Sequence, residues 1–301
     1  MNQKTPGVSI QEIATLSASV AGVSTAIPAF IGFTERADRN GQSLDTVPTK
    51  ISSLLEYKEL FGGPEQEFTI TISEEIKWDG ASAVSDVITT TVVHTPESHK
   101  LYYNMKMFFD NGGGTCYIVS VGSYAVTISD TRLKAGIIAT EKIDEITLLA
   151  APDAVVLATD AEKKVVNDEM LKVAKKLGDR FAIIDATDGD ATFRAGQVTL
   201  DSEAMKYGAA YYPKLRSAYK TELSDSFTYT YIVTDSPAET ELTVPVMTAY
   251  ETASPLYDAD LSELKTANKG LYEEIVRLAK AVEQEIELAP SAAVAGVYAR
   301  I

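Results

Sequence analysis

The chain has 301 residues, 45% of them apolar, with 43 acidic and 27 basic side chains and a formal charge of −16. That length can bury a core in one large domain or two smaller ones, and the composition is globular rather than disordered. The acidic balance repels a phosphate backbone and argues against nucleic acid as a partner. A single cysteine, Cys116, excludes an intrachain disulfide. No basic-then-apolar leader and no run of about 18 uncharged apolar residues is present, so neither a signal peptide nor direct membrane insertion is expected.

Residues 1–22 read as an arm and linker. In Thr5, Pro6, Gly7, Val8, Ser9, Ile10, Gln11, Glu12 and Ile13, apolar and polar side chains alternate around Val8 to Gln11, which is strand chemistry. Ala14 to Val20 is small and polar, with no tight turn to bring that strand home. Such a strand has no partner nearby in sequence and could pair at a distance, in its own chain or another.

Val23 to Phe33 reads as a buried first strand, with Pro28 suggesting an edge or a bulge. Ser52 or Ser53 can cap a helix to Phe61, stopped by Gly62 and Gly63. Glu65 to Val93 alternates threonine with apolar residues and reads as an inserted β-hairpin or small sheet holding Trp78. Leu101, Met105, Phe108 and Phe109 recur at helical spacing. Asn111, Gly112, Gly113 and Gly114 then form a structural turn, and Cys116 to Val121 a strand covered on both faces.

Thr131 to Ile143 reads as a helix with Leu133, Ile137 and Ile138 on one side, and Ile146 to Ala151 as a core strand ending at Pro152 and Asp153. Asp160 to Leu177 is an amphipathic helix capped by Asp160 and ended by Gly178, and Arg180 to Asp185 is the next strand. Gly208 to Leu215 and Ser226 to Val233 read as further strands, and Leu261 to Ile286 as one long helix. Strand and helix alternate from Val23 to Asp185, which argues an α/β fold: a mostly parallel sheet with flanking helices, inserted β-rich outer segments near 64–94 and 222–250, and an extended N-terminal arm. Pro290 to Ile301 is too apolar for a solvated tail and needs something to pack on.

Chemistry is sparse. The glycines of 112–114 follow a helix C-terminus, the negative end of the dipole, whereas phosphate loops precede a helix N-terminus. No GxGxxG or GxxxxGK[ST] occurs, so no cofactor is expected. Asp185, Asp188 and Asp190 fail the spacing of a calcium loop, and the plain reading is an acidic turn. His94 and His99 lack clustered carboxylates and read as solvated loop residues. No catalytic residue and no metal ligand is assigned. The ligand-binding alternative is an α/β enzyme using the strand C-terminal ends near Asp153 and Asp185.

Five stretches, in order, resemble the contractile tail sheath proteins of bacteriophages and of phage-tail-like injection particles. They are Thr5 to Ile13 followed by Gly22 to Ala26 and Phe30 to Gly32; Phe108 to Val119 (FFDNGGGTCYIV); Leu148 to Asp153; Ala210 to Pro213 (AYYP); and Pro290–Ser291 through Ala295 to Arg300. The resemblance implies a structural polymer and not an enzyme. Its subunits would stack as hexameric rings around an inner tube protein and contract to drive the tube through a membrane. Partners would be other copies, the tube, and baseplate and tail terminator or cap proteins, assembled in the bacterial cytoplasm. In that family terminal arms lend strands to neighbours, which would supply Thr5 to Ile13 with a partner. The family continues past the segment matching Pro290 to Arg300, so residues 290–301 are expected to open a C-terminal domain that this sequence lacks, and tube-contact residues are not placed. A sheath-like accessory or cap protein is the remaining reading.

Overall fold

A computed structural model describes residues 26–79, 81–95, 98–199, 201–236 and 242–300. The arm Thr5 to Ile13 and the motif residues Gly22 to Thr25 lie outside the described residues. The chain enters through β1 (Pro28–Thr34), crosses a small hairpin of β2 (Asp38–Arg39) and β3 (Gln42–Ser43), and forms β4 (Thr49–Ile51) and α1 (Leu54–Phe61). Ser53 caps α1 through Glu56 N–H, and Gly62 ends it at φ 86°. A long hairpin follows, β5 (Phe68–Trp78) and β6 (Ala83–His94), then α2 (Leu101–Asp110), β7 (Cys116–Ser123), α3 (Asp130–Ala139), β8 (Leu148–Ala150), α4 (Asp160–Leu177) and β9 (Phe181–Asp185). After a short turn of helix, α5 (Asp190–Thr192), come β10 (Gly208–Tyr211), β11 (Leu215–Lys220), β12 (Thr230–Asp235), α6 (Val244–Ala253), α7 (Leu261–Ala267), α8 (Lys269–Val282), β13 (Glu285–Leu288) and α9 (Ser291–Arg300).

The fold is α/β. Its main sheet has the order β10-β9-β8-β1-β7-β4, parallel throughout except for β4, which runs antiparallel to β7 at one edge. Every residue of β1 is buried. One face of the sheet packs Ile31, Val119, Leu149 and Ile184 against α3 and α4, and the other packs Phe30, Ile118 and Ile183 against α1, α2 and α9. Pro28 is therefore not at an edge. It is the first residue of a central strand, where a missing N–H costs little, and the register shift in β1 lies between Gly32 and Thr34.

A second, three-stranded sheet has the order β12-β5-β6, with β5 and β6 antiparallel and β12 parallel to β5. Two stretches about 160 residues apart in sequence thus share one sheet. Phe68, Ile70 and Ile72 bury a third core against Leu256, Leu261, Leu264 and Ile275. Residues 64–98 and 221–284 are referred to below as the outer unit, and the remainder of the described residues as the α/β layer.

Several boundaries differ from the sequence reading. The long helix from Leu261 breaks at Asn268, whose side chain accepts the Leu271 N–H to start α8, and Ile286 belongs to β13, buried against the layer. Thr159, not Asp160, caps α4, in a reciprocal box with Glu162. Ile138 points outward, 42% exposed, so α3 buries only Leu133, Gly136 and Ile137. Gly208 to Leu215 is not one strand but the end-to-start of β10 and β11, which belong to different sheets. Ser291–Arg300 form α9, which lies on α2, β8 and β9.

Candidate functional site

Several motif segments of the described chain meet at α2, namely β1, the turn after β8 and α9. Leu101, Met105 and Phe108 are fully buried, and the Phe108 ring meets Phe30 of β1 edge-on at 5.0 Å. Asn111 closes the helix, its amide donating to Met107 O at 2.7 Å. Gly112 sits at φ 91°, and a Cβ there would reach within 2.9 Å of the Arg300 side chain. Gly113 donates its N–H to Phe108 O, and a Cβ on it would lie 2.5 Å from the Phe108 ring. Gly114 has open space around it. Gly296 of α9 faces the same turn: a Cβ would come within 2.7 Å of Phe108 O. The glycines let two backbones approach, and their chemistry is packing.

Asp153 and Asp185 do not share a site. Asp153 is fully buried just past β8. Its two oxygens accept the N–H groups of Phe33 at 2.8 Å and Lys100 at 2.9 Å, which ties the end of β1 to the start of α2. Burial pushes its pKa up to about 6 against the pull of those two amides. A Cβ on Gly32 would fall 2.6 Å from its carboxylate, so the strand must approach it bare. Asp185, at the end of β9, accepts the N–H of Ser291 at 2.8 Å and the Ser291 hydroxyl at 2.5 Å. A carboxylate at the first residue of α9 satisfies an orphan amide and suits the positive helix end. Burial raises its pKa to about 7, again opposed by those hydrogen bonds. Both carboxylates are spent on holding elements together.

The acidic turn divides rather than gathers. Asp188 is exposed 3.9 Å from Lys163, and Asp190 pairs with Arg194 at 2.6 Å, while Asp185 turns inward to Ser291. Among the described residues no group of three metal-type side chains forms. A groove of about 250 Å³ beside β10, lined by Leu171, Ile184, Phe193, Val198 and Met205 with the paired Asp190 and Arg194, contains neither Asp153 nor Asp185.

Sequence reasoning missed the joint between layer and outer unit. His99 is not a solvated loop residue. It is 4% exposed, in tilted ring contact with Phe33 at 5.2 Å and Tyr124 at 5.1 Å, with Nδ1 3.0 Å from Glu65 Oε1. The other Glu65 oxygen accepts the N–H groups of Ser98 and His99, so the outgoing and returning chains are clamped together. Burial alone would lower the His99 pKa, but Glu65 beside it holds it above the ordinary value. The second crossing is fixed by Glu222, which takes hydrogen bonds from the Tyr102 hydroxyl and the Lys106 ammonium of α2 and gives its N–H to the Tyr103 hydroxyl. The hydroxyls of Tyr102 and Tyr103 and the ammonium of Lys106, set on a largely apolar helix, were the available signal. Cys116 is fully buried in β7, and burial pushes its thiol far up.

No family model matches the chain, and neither does any curated sequence. Solved structures do. A chain of the anti-feeding prophage baseplate is 20% identical, with 99% of this chain and 52% of that chain covered at a TM-score of 0.46. The anti-feeding prophage helical sheath in its contracted state gives 19%, 99%, 52% and 0.43. An extracellular contractile injection system, the PVC sheath complex in its contracted state, gives 21%, 73%, 46% and 0.32. The chain spans about half the length of the solved chains it matches. No helix among the described residues is long and apolar enough to cross a membrane.

Proposed function

We propose that this chain is a structural subunit of a contractile tail sheath, polymerising as stacked rings around an inner tube and shortening to drive that tube through a target membrane. One observation carries the reading. The family-like segments, scattered from Phe30 to Arg300, fold into a single block: β1, the α2–turn–β7 unit, β8 with Asp153, β10, and α9 held by Asp185. They are joined by backbone approach and structural carboxylates, which is the design of a rigid building block. The two groups an enzyme reading would use are occupied in that scaffold.

In this reading Thr5 to Ile13 lends a strand to a neighbouring copy, because strand addition draws affinity from main-chain hydrogen bonds and an open strand edge invites it. Residues 1–22 act as arm and linker, 23–289 as the sheath-like body with its β-rich insertions, and 290–301 lead toward a further domain. Partners are other copies, the tube protein, and baseplate and cap proteins; assembly takes place in the bacterial cytoplasm. Negative-stain microscopy of the full gene product tests this: tubes or stacked rings are expected, and deleting Met1 to Thr15 stops their formation while leaving the thermal transition nearly unchanged. Compact particles alone, or ordinary tubes from the arm-deleted protein, would count against it.

A further inference from the structure

The charge of the chain is divided between its two regions. The outer unit, residues 64–98 and 221–284, carries 19 acidic and 5 basic side chains, and the rest of the chain carries 24 and 22. A formal charge of −14 therefore belongs to the outer unit and −2 to everything else. Pairing with the layer relieves little of it: Lys106 and Lys220 meet only Glu222 and Glu283, and His99 meets Glu65, at the margin of the unit. Four of the five basic residues already face a carboxylate within the unit: Lys77 to Asp86, Lys265 to Asp225, Lys269 to Glu273 and Arg277 to Glu274, at 2.6 to 3.6 Å. Asp258 and Glu273 lie exposed on its surface. In the layer, by contrast, opposite charges interleave, as in Lys50 with Glu145, Lys175 with Asp201 and Lys176 with Glu141.

Two such molecules that approach with outer units facing repel each other over a Debye length, about 10 Å at 0.1 M salt and about 30 Å at 0.01 M. Like-charge juxtaposition in a contact is unfavourable and suppresses a wrong docking. An approach through the layer meets no comparable field. The layer also presents uncharged surface: Ser291 to Ala299 contains no Asp, Glu, Lys, Arg or His, yet Val297, Tyr298 and the nearby Tyr212 are 48%, 39% and 60% exposed. Tyr298 and Tyr211 join α9 to β10 through their hydroxyls at 2.7 Å.

We propose that copies of this chain meet through the neutral α/β layer with the acidic outer unit turned away, so that repulsion among outer units sets a salt-dependent threshold for assembly. This rests on the assembly reading above and specifies which surface serves it. Salt screens the outer units and leaves an uncharged contact intact, so association strengthens as salt rises, the reverse of a contact made by opposite charges.

Light scattering and sedimentation of the full gene product, at 20 and 300 mM sodium chloride, test it. The threshold concentration should fall about tenfold at the higher salt. The variant Glu75→Lys, Glu251→Lys, Asp258→Asn, Glu273→Lys halves the charge of the outer unit, from −14 to −7. It should assemble at 20 mM near the threshold the parent shows at 300 mM, with its thermal transition checked alongside. A threshold that rises with salt, or a folded variant with the salt dependence of the parent, overturns the inference while leaving the assembly reading standing. Should the variant not fold, the parent's salt series decides alone. Failure of both proteins to assemble at any salt removes the assembly reading and this inference together.

Discussion

In the α/β layer, β1 and β8 are buried along their whole length and β7 along most of it, between helices on either side. In the outer unit, β5 buries alternate residues, Phe68, Ile70, Ile72, Glu74 and Ile76, while most of β6 faces solvent. The difference follows from strand order. Parallel strands need crossover helices, which cover both faces, so their sequences run apolar; an antiparallel hairpin can leave one face wet and alternates. The two regions also handle buried charge differently. The layer encloses Asp153 and Asp185 on backbone amides and a helix start, whereas the outer unit buries Glu74 between the hydroxyls of Tyr231 at 2.5 Å and Tyr250 at 2.9 Å. Two cores with separate residue sets should answer separately to core damage.

The largest test of that separateness is a matched pair of truncations. Phe108→Ala should cost about 3–5 kcal/mol and Ile72→Ala about 2–5 kcal/mol, because each leaves a cavity at a fully buried site. Urea unfolding followed by Trp78 fluorescence, which reports the outer hairpin, and by far-ultraviolet dichroism, which reports mainly the layer helices, should separate them. Ile72→Ala should shift the fluorescence midpoint more than the dichroism midpoint. Coincident shifts in both variants would show that the Glu65–His99 and Glu222 joints make the two regions one cooperative unit.

That joint marks where the sequence stopped being legible. Apolar runs such as Phe30 to Phe33 and Ile118 to Val121 declare strands because they are covered on both faces, and Gly178 ends α4 by local chemistry, although the sequence reading puts the cap one residue late, at Asp160 instead of Thr159. Nothing local links Thr71 to Thr230, yet they pair. The break at Asn268 was hidden because the apolar spacing of Leu264, Leu271 and Ile275 continues through it on one face of a shared core. His99 looked solvated beside Pro96 because its partners, Glu65, Phe33 and Tyr124, are distant in sequence. Asp153 and Asp185 were placed at strand ends from pattern alone, but which backbone each would hold is a tertiary fact.

Acid should divide the regions next. Burial raises Asp153 to about 6 and Asp185 to about 7, above the ordinary carboxylate value of about 4. The native layer therefore keeps protons that the unfolded chain releases, and its stability rises as pH falls from about 8 toward 5. The protonated His99, whose pKa is also raised, acts in the same direction. Each carboxylate is worth up to a few kcal/mol on this scale. In the outer unit, hydrogen bonds and Lys265 hold the half-buried Asp260 and Asp225 below their ordinary values, so these groups cost the unit stability only at lower pH, as they protonate. Thermal melts from pH 8 to 5 should show the dichroism midpoint climbing, and Asp185→Asn should remove a large part of the climb. A flat profile in the parent protein would sink this assignment.

A smaller effect is expected at the contact between α2 and α9. Gly296→Val places a side chain against Phe108 O and should cost about 1–3 kcal/mol by overpacking, read as a lower urea midpoint. The same replacement at Gly114, which has open space, should cost less, since no neighbouring atom is displaced. Equal losses at the two positions would mean that the turn's backbone, and not the approach of α9, sets the requirement for glycine.

The smallest test uses a feature both regions share. α4 in the layer and α7 in the outer unit each begin with a reciprocal box, Thr159 with Glu162 and Asp260 with Glu263. In each, the cap side chain accepts the amide of the third helical residue, and the glutamate reaches back to the cap amide. Replacing the cap by alanine frees one helix amide from its partner and typically costs about 1 kcal/mol. Thr159→Ala and Asp260→Ala are thus chemically matched perturbations, too small to unfold either region. Asp260→Ala also removes a negative charge from the crowded outer unit, so at low salt its net cost should be the lesser of the two, and the difference should shrink as salt rises. If the two substitutions cost the same at every salt concentration, the excess charge of the outer unit carries no measurable repulsive energy in the folded monomer, and its influence would be confined to contacts between molecules.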